Sequence, residues 1–274
     1  MGAEMGREDT LFRVENQVAW ITLNRPEVRN ALLLEQRLYL IGLLDRLSAD
    51  RGVRAIVLTG RGNTFCSGAD LSPAATSPQS ELGAPERIVG DLSRRVQHGA
   101  QRLIAAVLDC QKPVIAAVKG TVAGMAVQLA LACDLVLAAD DATFFEVSVA
   151  RGLIPDAGAA YLLARLVGPQ KAKQLFFFGD RVPANVALEL GLVNAVVPAM
   201  QLDETAQEWA ARLASGPTRA IALTKWLVNR SLDTDRTGSF DDEAMAVELN
   251  ARTSDSEEGI NAFLEHRPAA YLGW

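Results

Sequence analysis

Two short segments of this chain carry residues that could act on a carbonyl compound. Gly120 to Asp134 reads GTVAGMAVQLALACD, a glycine-containing turn that opens a short apolar helix. A helix start presents free backbone N–H groups and the positive end of the helix dipole, which suits an oxygen that becomes negative during a reaction. Ala142 to Gly158 places the carboxyl group of Asp156 beside a proline on a predicted loop. A helix start that stabilises an oxyanion and one carboxyl group are together the minimum needed to transfer a proton at the carbon beside a carbonyl.

The composition favours a globular protein that handles small molecules. Hydrophobic residues make up 49% of the 274 residues, and the formal net charge is -6 at pH 7. Nucleic-acid binding is not expected, because no basic stripe could meet phosphates. With two histidines and three unpatterned cysteines, we expect no metal site and a reducing, cytoplasmic environment. The polar N-terminal stretch predicts no signal peptide, and the short apolar runs predict no membrane insertion.

The order of predicted elements indicates a layered α/β architecture. A hairpin is predicted from Leu11 to Leu23, a helix through Leu32 to Leu47, and a second helix over 91–108. Buried strands are predicted at Val53–Thr59, Pro113–Val118 and Leu135–Ala138. Residues 72–90, rich in Pro, Ser, Ala and Gly, are predicted to form a mobile surface segment. Residues 200–274 are predicted to be a helical extension, with helices at 202–215, 217–231, 240–252 and 254–265.

Four stretches spread along the chain form a recognisable set. They are NRPEVRNAL at Asn24–Leu32, TGRGNTFCSGADL at Thr59–Leu71, the segment Ile115–Asp140, and GLIPDAGAAYLLARLVG at Gly152–Gly168. In order and spacing they resemble the crotonase family, the enoyl-CoA hydratase/isomerase superfamily. The resemblance implies a ββα-spiral core over residues 1–199 with the CoA and acyl site. It also implies a trimerisation region over 200–274, and a homotrimer or a hexamer built as a dimer of trimers.

The resemblance also implies an acyl-CoA thioester substrate, with coenzyme A as part of the substrate and no separate cofactor. By position, the family's oxyanion-stabilising N–H groups belong to Ala69 and Met125, and each follows a glycine, Gly68 or Gly124. The residues assigned to CoA binding are Arg25, Arg29, Ala31, Ser67, Gly68, Ala69, Asp70 and Leu71. For the arginines, ordinary solvated surface positions are the alternative.

Two departures from the family pattern bear on the chemistry. The positions of the two glutamates that flank the substrate double bond in the hydratases hold Gln128 and Ser148. Hydration by the usual mechanism needs two carboxylates, so it is not expected. Gln128 is expected to line the substrate pocket and Ser148 to make space in it. Glu146 would share a face with Ser148 if the stretch were extended, which makes it a candidate substitute acid.

Asp156 suggests a different reaction. The pattern GLIPDAG, with an amide at the first glutamate position, resembles the 1,2-epoxyphenylacetyl-CoA isomerase and Δ3,Δ2-enoyl-CoA isomerase branch. One carboxylate can run a double-bond shift, and apolar neighbours such as Leu153 and Ile154 are expected to raise its pKa. Capping of a helix that begins near Ala157 is the structural alternative for Asp156. An unconventional hydratase and a catalytically silent acyl-CoA binder are the alternative functions.

Overall fold

The computed structural model describes residues 7–72 and 89–274. The surface segment predicted over 72–90 therefore lies almost entirely outside the described residues.

The chain opens with the predicted hairpin. Strand β1 (Thr10–Glu15) pairs antiparallel with β2 (Val18–Leu23), and Glu15 faces Val18 across the turn. The two turn residues, Asn16 and Gln17, both have positive φ. This backbone matches the twist of the paired strands.

A six-stranded sheet in the order β1-β2-β3-β4-β6-β9 forms the centre of the molecule. Its further strands are β3 (Ala55–Gly60), β4 (Val114–Val118), β6 (Leu135–Ala139) and β9 (Ala195–Val197). From β2 onward every pairing is parallel. Every residue of β3 and β4 is buried, which explains why they read as continuous apolar runs rather than as alternating ones.

A second, three-stranded sheet positions the chemistry-bearing segments. It contains β5 (Thr121–Ala123), β7 (Thr143–Phe145) and β8 (Val182–Pro183), with β7 in the middle. Because β5 and β7 run parallel and pair Ala123 with Phe145, their ends lie side by side. Gly124 and Glu146, the next residues along each strand, therefore leave the sheet at the same edge.

Ten α-helices lie in the described parts of the chain. They are α1 (Leu34–Ala49), α2 (Asp91–Arg95), α3 (Arg102–Leu108), α4 (Met125–Leu131), α5 (Ala159–Phe178), α6 (Ala184–Glu189), α7 (Leu202–Ala214), α8 (Thr218–Ser231), α9 (Arg236–Asn250) and α10 (Ser254–Leu264). The single helix predicted over 91–108 is interrupted by a π-helical turn at Val96–Gln101. Within α5, the backbone leaves helical geometry at Gly168, just before Pro169.

Helices cover both faces of the main sheet. Residues of α1, α3, α4 and α5 pack in one apolar core. On the other face, α7 places Leu202, Ala206, Ala210 and Ala214 against the sheet, a repeat of four residues that keeps them on one side of the helix. Helix α7 therefore forms a layer of the core, although it follows the predicted boundary at residue 199.

Polar contacts attach helix α8 to this core. Lys225 on α8 donates to Asp134 at 2.8 Å and to the carbonyl of Val107 at 2.8 Å. Helix α9 begins four residues before the predicted start at Phe240, because Asp235 caps it by accepting from the Gly238 N–H. None of the helices in the described parts of the chain has the length and apolar character needed to span a membrane.

Candidate active site

The loop after β3 brings the Ala69 N–H to the start of α4. Gly68 has φ 98° and is packed so closely that an added Cβ would lie 2.7 Å from the Ala123 carbonyl oxygen and 3.5 Å from the Met125 nitrogen. Leu32 donates to the Gly68 carbonyl and accepts from the Asp70 N–H, at 2.8 and 3.1 Å. Both bonds of Leu32 are thus made to the residues before and after Ala69. In this parallel pairing the N–H of Ala69 itself points away from Leu32.

The second amide lies at the first residue of α4. Gly124 takes positive φ and donates its own N–H to the Phe145 carbonyl at 3.1 Å, so the chain turns sharply and the helix starts at Met125. A first-turn N–H has no acceptor within its own helix. No hydrogen bond from either the Ala69 or the Met125 N–H to another described residue is present. The two predicted amides are thus neighbours with free donors, an arrangement that suits an oxyanion.

A buried asparagine, which sequence reasoning did not single out, holds the first loop in place. The Asn30 side chain is fully buried and donates to the carbonyls of Arg61 and Thr64 at 3.0 and 2.8 Å. The backbone carbonyl of Asn30 accepts from the Cys66 thiol at 3.0 Å. The only sequence signal was its place in NRPEVRNAL. Its positive φ favours asparagine over most other residues.

The residues assigned to CoA binding form one continuous patch. Arg25 donates to the Asp70 carboxylate at 2.9 Å and to the Ala31 carbonyl at 2.7 Å, with both charged side chains largely buried. The Ser67 N–H donates to the Arg29 carbonyl at 2.9 Å. The pKa of Asp70 is lowered, first by the N–H of Ser72 and then by the hydrogen bond from Arg25. The Arg25–Asp70 pair therefore joins the first and second signature stretches, while Leu71 beside it is exposed.

Gln128 and Glu146 form a buried pair one helical turn from the oxyanion amide. Gln128 Nε2 donates to Glu146 Oε1 at 2.7 Å, and the two residues are 1% and 4% exposed. Gln128 Oε1 is enclosed and has no hydrogen-bond partner among the residues that the structure describes. Burial raises the pKa of Glu146 to about 8, and the negative charge of Asp156 adds to the effect. Glu146 is therefore a neutral acid at pH 7 rather than a carboxylate.

Ser148 does not have the backbone that the sequence argument assumed. Its φ and ψ are -64° and -52°, the helical region, and it precedes a 3₁₀ turn at Val149–Arg151. The extended backbone on which a shared face of Glu146 and Ser148 depended is therefore not present at Ser148. Strand β7 ends at Phe145, before either residue.

Asp156 lies in the loop before α5 and does not cap that helix. The helix begins at Ala159 after Gly158, with no side-chain cap, and only the backbone carbonyl of Asp156 accepts a helical N–H. The capping interpretation is therefore wrong. Asp156 as a residue is open to solvent, yet partial burial of its carboxyl group raises its pKa. Leu153 and Ile154 do not provide that burial, because Leu153 is exposed and Ile154 is 87% exposed.

Arg37 faces Asp156, and no feature of the sequence pointed to it. It lies on α1, with Nε donating to the Leu33 carbonyl at 3.3 Å and the guanidinium against Gly99. Its charge lowers the pKa of Asp156 and so opposes the effect of burial. Burial also lowers the pKa of Arg37 itself, and Asp156 works against that change. Among the described residues, the site thus brings together the charge of Arg37, the solvent-open carboxyl group of Asp156 and the buried acid Glu146.

Comparison with known proteins identifies the family of this chain. The sequence profile described as enoyl-CoA hydratase/isomerase matches residues 13–273. The chain belongs to this family. It is 35% identical to the 1,2-epoxyphenylacetyl-CoA isomerase of Escherichia coli, over 97% of this chain and 99% of that one. It is also 35% identical to the crotonyl-CoA hydratase of Syntrophomonas wolfei, over 98% and 99%.

A solved structure confirms the fold. The enoyl-CoA hydratase of Bacillus anthracis superimposes with a TM-score of 0.87 at 32% identity, over 97% of this chain and all of that one. The α/β crotonase-like core with C-terminal helices expected from the four signature stretches is therefore present. The protein is an acyl-CoA enzyme of the hydratase/isomerase family. Because relatives of equal identity carry hydratase and isomerase names, the reaction must be argued from the residues of the site.

Proposed function

We propose that this protein moves a carbon–carbon double bond in an acyl-CoA thioester, from the 3,4 to the 2,3 position, with Asp156 as the acid–base residue. The observation that carries the proposal is the pairing of two free amides with a carboxyl group whose pKa is raised. At the two positions where hydratases of the family hold glutamates, Gln128 and Ser148 offer no carboxylate. The opening or isomerisation of a ring in an aromatic acyl-CoA would use the same enolate chemistry.

The proposed mechanism starts from the Asp156 carboxylate. It removes a proton from C2, and the electrons move onto the thioester oxygen to give a dienolate. The N–H groups of Ala69 and Met125 bind that oxyanion, and each such donor is worth about 10²–10³-fold in rate. Protonation at C4 completes the shift. A single carboxyl group can do both steps, because the proton travels between two carbons of one substrate.

For the CoA portion, we propose that the patch around the Arg25–Asp70 pair is the binding surface. The support is its continuity with Ala69, whose N–H would hold the thioester oxygen. The proposed contacts are Arg25, Arg29, Ala31, Ser67, Gly68, Ala69, Asp70 and Leu71. Arg29 also borders a polar groove with Asp141 and Arg181.

The test uses a straight-chain 3-enoyl-CoA and three proteins: wild type, Asp156→Asn, and Asp203→Asn as an exposed control on α7. Conjugation is followed by ultraviolet absorbance. We expect Asp156→Asn to lose about 10²–10⁴-fold in kcat, which is the usual contribution of a general acid–base residue. Asp203→Asn should match wild type. Equal rates in Asp156→Asn and wild type would remove Asp156 from the mechanism.

Hydration is the second candidate, and the 35% identity to a crotonyl-CoA hydratase favours it. A hydratase would add water to a 2-enoyl-CoA. The absorbance of this conjugated thioester would then fall, and a 3-hydroxyacyl-CoA would appear in mass spectra. A protein that binds acyl-CoA but catalyses neither reaction would be the silent homologue.

We also propose that the protein is a homotrimer or hexamer. The support is a set of exposed apolar side chains on α9, α10 and the C-terminus, namely Phe240, Met245, Val247, Leu249, Ile260, Phe263, Leu264 and Trp274. Large exposed apolar side chains of this kind, when they cluster, mark protein–protein contact sites. Sedimentation velocity tests it, and a monomer at micromolar concentration would contradict it.

A further inference from the structure

Glu146 lies beside the reaction centre although it occupies neither family glutamate position. The Gly124 N–H is bonded to the Phe145 carbonyl, so the residue after Phe145 emerges next to the start of α4. Gln128, which holds the Glu146 side chain, is three residues after Met125 and lies on the same face of that helix. Helical side chains lean toward the N-terminus, which brings the Gln128 amide back toward the oxyanion amides.

The hydrogen bonding of Glu146 leaves one oxygen available. Oε1 accepts from Gln128, whereas Oε2 makes no hydrogen bond to a described residue. A protonated carboxyl group has one O–H donor besides its acceptors. Ionisation would leave a charge in a nearly closed environment with a single amide donor, which is unfavourable. The geometry therefore presents Oε2 as a proton donor.

The two carboxyl groups of the site also influence each other. Ionised Asp156 disfavours ionisation of Glu146, whereas Arg37 favours the Asp156 carboxylate. Asp156 is thus the group that loses its proton first, and Glu146 is the group that keeps it. Two carboxyl groups separated in this way by their surroundings divide the roles of base and acid.

We propose that Glu146 is a second catalytic residue, which donates the proton from Oε2 to C4 of the dienolate after the Asp156 carboxylate has taken the proton from C2. This inference rests on the proposed double-bond shift. The C2–H bond breaks as an O–H bond forms on Asp156, and the Oε2–H bond of Glu146 breaks as the C4–H bond forms. Asp156 then gives its proton to water and Glu146 takes one from water, which restores the starting state.

The experiment compares two rates in D₂O: exchange of deuterium into C2 of recovered 3-enoyl-CoA, and formation of 2-enoyl-CoA. Because Asp156 is open to solvent, the abstracted proton can exchange and deuterium can return to C2. In Glu146→Gln, removal of the C2 proton continues while protonation at C4 is impaired. We expect isomerisation to fall about 10²-fold. The ratio of exchange to isomerisation should rise at least about tenfold, in line with the loss of one acid–base partner.

Glu146→Gln keeps an oxygen that can accept from Gln128. The matched control is Glu189→Gln on the exposed end of α6, which should leave the ratio of exchange to isomerisation unchanged. An unchanged ratio in Glu146→Gln would overturn the inference whether activity is kept or lost, since a purely structural defect slows both steps together. Asp156→Asn separates the two claims, because it should abolish exchange and isomerisation alike. Exchange that persists in Asp156→Asn would refute the proposed function itself.

Discussion

Replacing Glu146 by glutamine should make the protein more stable at neutral pH, even though the residue is buried in the site. Burial and the charge of Asp156 raise the pKa of Glu146 from 4.5 to about 8 in the folded protein. In the unfolded chain the side chain has its ordinary value. A group whose pKa is higher in the folded state contributes its full stability below the unfolded value. That contribution is lost as the pH rises through the folded value.

The size of the effect follows from linkage. Between pH 4.5 and pH 8 the unfolded chain has ionised Glu146 and the folded chain has not, so wild type loses about 1.4 kcal/mol of stability per pH unit from this group. By pH 7 the loss is about 3 kcal/mol. Glutamine has the same shape and no charge to remove from water, so Glu146→Gln avoids that loss. Titrating groups that do not interact with Glu146 are common to both proteins and cancel in the difference.

Urea unfolding of wild type, Glu146→Gln and the surface control Glu189→Gln from pH 4 to pH 8 measures this difference. The advantage of Glu146→Gln should be near zero at pH 4 and grow steadily to about 3 kcal/mol at pH 7. Glu189→Gln should show no such slope. If the stability difference between Glu146→Gln and wild type is the same at every pH, or if Glu146→Gln is the less stable protein at pH 7, then Glu146 is not held as a neutral acid in the fold.

Substitutions at three further positions test other parts of the structure. Gly68→Ala should lower both kcat and the melting temperature, because its Cβ would meet the Ala123 carbonyl at 2.7 Å and its φ is positive; a stable, fully active variant would refute this packing. Arg37→Met should raise the pKa of Asp156 and move the acidic limb of the kcat/KM profile to higher pH, whereas Arg37→Lys should leave the limb near its original position; an unmoved limb in both would show that the guanidinium does not act on the carboxyl group. Lys225→Met should cost about 3–5 kcal/mol in urea unfolding, because the side chain is 6% exposed and its partner carboxylate is left unpaired; a cost under about 1 kcal/mol would place that pair in the class of surface ion pairs.

The sequence alone predicted the elements whose signals are local. The hairpin, the buried strands and the helix after Gly124 were all visible, because hydrophobic periodicity and turn residues act over a few neighbouring positions. It also singled out Asp156 and the two amide positions, since GLIPDAG and the Gly68 loop are contiguous motifs. Prediction from the sequence was less reliable at the ends of helices and strands, where a capping residue such as Asp235 or a glycine sets the boundary within a few residues.

Only the tertiary structure decided what surrounds the Asp156 carboxyl group. The charge of Arg37 on α1 acts on Asp156 in the loop before α5, and Gln128 on α4 donates to Glu146 after β7. The sequence spacing of neither pair indicates the interaction. Strand alternation could not place Glu146 relative to Ser148, because it assumes an extended backbone and Ser148 has helical φ and ψ. The protonation states also depend on burial and on charges brought together by folding, which explains why the sequence named Asp156 and Glu146 as candidate acids but could not assign the proton between them.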